Sequence, residues 1–190
     1  MATVVIAEAG VNHNGDLALA RRLVEAAAAA GADAVKFQTF KAADLASAEA
    51  PKAAYQQAND GAGSQRQMLE RLELSPEQHH ELAAHCRQCG IAFLSTAFGL
   101  AELELLLQLG IGAIKVPSGE ITHRPLLEAM AAAAASRNLP VYLSTGMSNL
   151  GEVEAALQLF LEAGLPRQQI TLLHCLSAYP APEEQINLRA

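Results

Sequence analysis

Six short apolar runs alternating with longer amphipathic segments fix what this chain can become. The runs span residues 3–7, 34–37, 91–94, 112–116, 141–143 and 170–173, and helical patterns cover 17–30, 76–89, 100–109, 125–136 and 150–163 between them. The runs are rich in Val and Ile and almost continuously apolar, as strands buried on both faces are. Gly31, Gly90, Gly110 and Gly164 follow four of the helical patterns, where a C-terminal cap is expected. Strict strand–helix alternation predicts a parallel sheet with right-handed crossovers. An open doubly wound sheet is weakened by the absence of G-x-G-x-x-G after any strand. A (β/α)8 TIM barrel takes about 250 residues, so the expected fold is an incomplete one, about six β/α units in a single domain over 1–190. The polar stretch 39–63 breaks the rhythm, and a loop of that length is expected to be functional or mobile.

Composition narrows the class. Hydrophobic residues reach 51% largely through alanine, in runs at 26–30 and 131–135 that suit close-packed helices. A net charge of −7 argues against a nucleic-acid surface. Charged or polar residues interrupt every apolar stretch well short of the roughly 18 residues of a membrane span. The start MATVVIAEAG has neither a basic region nor a long apolar one, so no signal peptide is expected. Three cysteines without framework spacing fit a reducing compartment. The expectation is a soluble, cytoplasmic protein.

The chemistry sits where the strands end. Glu8 follows VVIA, Lys36 and Gln38 lie in AVKFQT, and Ser95 and Thr96 follow AFL. Lys115, Ser118 and Glu120 lie in AIKVPSGE, Ser144 and Thr145 follow VYL, and His174 follows TLL. In a barrel such positions converge on the catalytic rim. Two-residue periodicity puts Lys36 and Gln38 on one face of their strand. The chain has only four lysines, and two of them occupy apolar strands. A single lysine there reads as a side chain snorkelling to solvent, whereas two near Glu8 and Glu120 suggest an anion site completed by the hydroxyls of Ser118 and Ser144. His174 reads either as a hydrogen-bonded core histidine or as a divalent-metal ligand. His79, His80 and His85 share a helical pattern with Cys86 and Cys89; without a second ligand pair that spacing reads as structural. In GVNHNGD, Asn14 or Asp16 suits a helix cap, and Asn12 and its neighbours equally suit a polar substrate.

The stretches IAEAGVNHNGD, GADAVKFQTFKA, FLSTAF, KVPSGEIT, LSTGMSNLGEVEAAL and LLHCLSAYPAP, in this order, closely resemble the sialic acid synthase family. KAAYQ, SQRQMLERLELS and RQQITLLHC look more like its bacterial legionaminate-type members than its animal phosphate-forming ones. The resemblance implies a (β/α)8 barrel that condenses phosphoenolpyruvate with an N-acylated mannose-type aldose, releases phosphate and uses a divalent metal, Mn2+ or Mg2+. By motif, Lys36, Lys115, Ser118 and Ser144 would hold phosphoenolpyruvate. Glu8 would move protons or serve the sugar end, Glu120 would orient the sugar, and His174 would bind metal. Gln38, Asn12 and Tyr179 would line the substrate. The family also carries a second metal histidine and a C-terminal antifreeze-like domain that caps a partner's site in a homodimer. Neither matches a segment of these 190 residues, so the chain is expected to be inactive alone. Two rivals stand beside this reading: a Schiff-base aldolase using Lys36 or Lys115, and a non-catalytic sugar-binding barrel fragment.

Overall fold

The structure, a computed structural model, describes residues 3–52, 63–178 and 181–189. Tyr179 lies outside the described residues. The chain divides into two compact units, Met1–Gly112 and Ala113–Ala190.

In the first unit, β1 (Ile6–Gly10), α1 (Leu17–Ala29), β2 (Ala34–Thr39), α2 (Ala42–Leu45), α3 (Gln65–Glu70), α4 (Pro76–Gln88), β3 (Ala92–Ala97) and α5 (Leu100–Leu109) follow one another. β2 pairs in parallel with β1 and with β3. Asp16 caps α1 by accepting from the backbone N–H groups of Ala18 and Leu19 at 2.7 and 3.2 Å, so the capping choice left open by GVNHNGD falls on Asp16. Asn14 instead takes a left-handed turn conformation, φ +51°. Ser75 and Gln78 form a capping box at the start of α4, with Pro76 in the first turn. Gly31 and Gly90 sit just past α1 and α4 at φ +77° and +69°, the left-handed geometry that glycine adopts at least cost when a helix ends. The core packs Val24, Val35, Phe37, Leu82 and Cys86, with Phe37 and Phe93 stacked at 5.9 Å.

The second unit holds β4 (Ile114–Val116), α6 (Arg124–Arg137), β5 (Val141–Ser144), α7 (Leu150–Glu162) and β6 (Ile170–Leu173). β5 pairs in parallel with β4 and β6. α6 buries Leu126, Leu127, Met130, Ala131 and Ala134, and α7 buries Ala156 and Phe160. Within each unit the strands stand in chain order with helices between them. The fold is that of a (β/α)8 barrel, of which the chain carries about six β/α units. No helix among the described residues is long and apolar enough to cross a membrane.

Two local expectations shift. The first strand begins at Ile6 and runs into the polar end at Gly10, leaving Val4 and Val5 exposed although Val5 still binds Asp33 through its amide. The stretch 39–63 is not all loop, because Glu73 accepts from the Ala42 amide and starts the short α2.

Candidate active site

In the first unit, the polar ends of β1, β2 and β3 meet side by side. Lys36 is buried on β2, opposite Glu8 of β1 and Leu94 of β3. Its Nζ lies 2.7 Å from Glu8 Oε2, 2.9 Å from Oε1 and 3.5 Å from Thr96 Oγ1. A buried ammonium needs such partners, since desolvating it alone costs several kcal/mol. Glu8 is half exposed, with 54% of its side chain open to solvent, so the pair joins the core to the surface. Gly10 makes the pairing possible: the ladder shifts between Glu8 and Gly10, and Gly10 has φ +53°. A Cβ there would stand 3.1 Å from Glu8 Oε1, with Gln38 Nε2 at 3.8 Å. Glu8, Lys36 and Gln38 therefore share one patch, and the common face of Lys36 and Gln38 is the one that strand periodicity predicts. Asn12 is exposed in the turn after β1, while His13 turns inward against Phe37, ring centroids 6.1 Å apart. The Gly15 N–H donates to His13 Nδ1 at 3.0 Å, so Nε2 carries the proton and is buried without a partner among the described residues. Burial, reinforced by His79, pushes the His13 pKa down.

In the second unit, Lys115 is buried on β4, and its Nζ donates to Ser144 Oγ of β5 and to the Val116 carbonyl, both at 2.7 Å. Neither lysine snorkels. Ser118 opens a single 3-10 turn after β4, and its Oγ lies 3.3 Å from where a Gly146 Cβ would stand. Ser177 Oγ would be 2.6 Å from the same point, so Gly146 lets two hydroxyls close on one spot. Ser177 escaped the sequence reading; its only signal was its place three residues beyond His174. Glu120 accepts from His123 Nδ1 at 2.7 Å and is half-buried. His174 follows β6 directly but is exposed rather than set among apolar groups, and its Nε2 donates to the Ile186 carbonyl at 2.6 Å. That bond leaves Nδ1 as the lone-pair nitrogen, the arrangement of many metal-ligating histidines. It supplies one ligand only, and no group of three His, Cys, Asp or Glu among the described residues could hold a metal ion. The Cys86 and Cys89 pair is structural: burial pushes the Cys86 thiol up to about 12, and His85 spends its Nε2 on Glu25 at 3.1 Å.

In each unit, then, a buried lysine at the end of a parallel strand is bonded to a carboxylate or hydroxyl of the neighbouring strand, within a (β/α)-barrel fold. The chain belongs to the NeuB family, whose profile matches residues 23–190. It is 53% identical to N,N'-diacetyllegionaminic acid synthase of Campylobacter jejuni, over 99% of this chain and 55% of that protein. It is 46% identical to the Legionella pneumophila protein of the same name, over 100% of this chain and 53% of that one. Among solved structures, N-acetylneuraminic acid (sialic acid) synthetase from Leptospira borgpetersenii superposes with a TM-score of 0.77 at 32% identity, covering 97% of this chain and 59% of that one. The chain thus spans about half the length of the curated relatives it matches.

Proposed function

We propose that the chain is the barrel portion of a nonulosonate synthase of legionaminate type, a phosphoenolpyruvate-dependent transferase that forms a C–C bond. The enol carbon of phosphoenolpyruvate attacks the aldehyde carbon of an open-chain N-acylated mannose-type sugar. Water adds to the resulting cationic centre, and the tetrahedral intermediate expels phosphate to leave the α-keto acid. Lys115 with Ser144 and Ser118, and Lys36, hold the phosphate and carboxylate of phosphoenolpyruvate. Glu8 moves protons, Glu120 orients the sugar, and Gln38, Asn12 and Tyr179 contact it. A divalent cation, Mn2+ or Mg2+, belongs to the proposal through the family resemblance and would polarise the aldehyde oxygen. Among the described residues, His174 would be its histidine ligand. A cytoplasmic location and a homodimer of the whole protein complete the reading; the free thiols of Cys86, Cys89 and Cys175 agree with a reducing compartment.

The observation that carries the proposal is the buried Lys115–Ser144 contact at 2.7 Å, a cation and a hydroxyl donor held together on neighbouring strands. Calorimetric titration with phosphoenolpyruvate tests it. Saturable binding that Lys115→Met weakens about tenfold or more supports the proposal, and binding unchanged in that variant overturns it. Covalent trapping of a carbonyl substrate by borohydride would instead establish the Schiff-base rival.

A further inference from the structure

We propose that His79 is a positioning residue for Lys36, Gln38 and Thr96, acting through a buried hydrogen-bond chain on the opposite face of β2 and β3. The inference rests on the function proposed above. His79 Nδ1 lies 2.9 Å from the Ser75 carbonyl oxygen. A carbonyl only accepts, so Nδ1 carries the proton and Nε2 presents its lone pair. Thr39 Oγ1, 2.9 Å from Nε2, must then donate to it. With its proton committed, Thr39 Oγ1 accepts from Ser95 Oγ at 2.7 Å. The chain runs in one sense, Ser95 to Thr39 to His79 to the Ser75 carbonyl, and Ser95, Thr39 and His79 are all buried. Burial also lowers the His79 pKa, which keeps the ring in the neutral form this direction needs.

Its place in the sheet gives the chain its effect. Successive strand residues face opposite ways, so Thr39 shares a face with Val35 and Phe37, while Lys36 and Gln38 face the other side. Ser95 stands opposite Phe37 and Thr96 opposite Gln38. Pinning Thr39 and Ser95 to α4 therefore fixes the pleat that aims Gln38, Thr96 and Lys36. The Lys36–Thr96 contact is 3.5 Å, at the edge of hydrogen-bond range, so a shift of a few tenths of an ångström would break it.

Stability and aim separate experimentally, because Ser75 contributes its side chain to the helix cap and only its carbonyl to His79. Phosphoenolpyruvate affinity by calorimetry, melting temperature, and NMR resonances of Lys36 and Thr96 should be compared across variants. Ser75→Ala should lower the melting temperature and leave affinity and resonances unchanged. Thr39→Val, close in shape, should weaken affinity by about threefold to tenfold and shift both resonances. His79→Gln, which returns an acceptor to Thr39, should recover most of what His79→Leu loses. The inference fails if Thr39→Val leaves affinity and resonances at wild-type values, or if Ser75→Ala moves them as much. Lys36→Met is the control: if it binds phosphoenolpyruvate as wild type does, the proposed role of Lys36 fails, while Lys115→Met still decides the proposed function and the resonances alone then decide the role of His79.

Discussion

Lys36 and Glu8 stand directly opposite each other on β2 and β1, with Nζ 2.7 Å from Oε2, the cation buried and the carboxylate half open to solvent. An incoming anion would therefore meet a lysine already oriented by its own strand neighbour. Lys36→Met and Lys115→Met should each remove a charge-assisted contact of roughly 1.5–3 kcal/mol and weaken phosphoenolpyruvate binding about tenfold or more. Calorimetry on each purified variant checks this, and equal affinity in both would remove the lysines from the site.

Stability should fall on mild acidification. His13 and His79 have folded-state pKa values below the ordinary 6.5, chiefly through burial. The unfolded chain therefore binds more protons than the folded one once pH drops through 6.5. Stability is complete above that value and is lost as pH falls toward the folded-state values, by up to about 1.4 kcal/mol per unit for each histidine. Urea unfolding at pH 7.5 and at pH 5.5 measures the difference; a flat profile would contradict the burial of both rings.

The three thiols should react unequally. Cys86 is fully buried with its pKa pushed up to about 12, so almost no thiolate exists at neutral pH. Iodoacetamide should leave Cys86 unmodified in the native chain while labelling Cys89, and modify all three after denaturation. Peptide mass spectrometry reads this directly.

A polypeptide of these 190 residues alone should self-associate and release no phosphate from phosphoenolpyruvate with N-acetylmannosamine or a diacetamido sugar. Among the described residues β6 pairs with β5 alone, and Leu172 on it is 45% exposed. An open apolar strand edge is a template for pairing with another chain. Light scattering and a phosphate assay with added Mn2+ test the claim; a monodisperse monomer that turns over either sugar would refute it.

Much of the fold was legible because burial imposes period. The apolar runs marked all six strands, and Gly31, Gly90, Gly110 and Gly164 marked four helix ends, each with positive φ. The shared face of Lys36 and Gln38 followed from alternation along β2, and Glu8 joins them through the pairing of β1 with β2. What escaped depends on contacts that leave no period. His79 looked like one more residue of a His- and Cys-bearing helix, yet its partner Thr39 lies forty positions away. His174 looked enclosed because TLL precedes it, but β6 is exposed along half its length. Ser177 gained its place only when the chain folded back onto Gly146.

The shift in the ladder beside Gly10 also bears on how this sequence tolerates change. Most positions of a buried strand accept another apolar residue of similar volume. Gly10 does not, because any side chain meets both an unfavourable backbone angle and the Glu8 carboxylate. In a saturation library scored for folded protein and for ligand capture, neighbours such as Ala7 should admit several residues while the column at position 10 is dominated by glycine, with Asn, which takes nearly the same angle at Asn14, the best tolerated replacement. A lineage of this protein could thus drift on either side of that register shift while the glycine at its centre stays put.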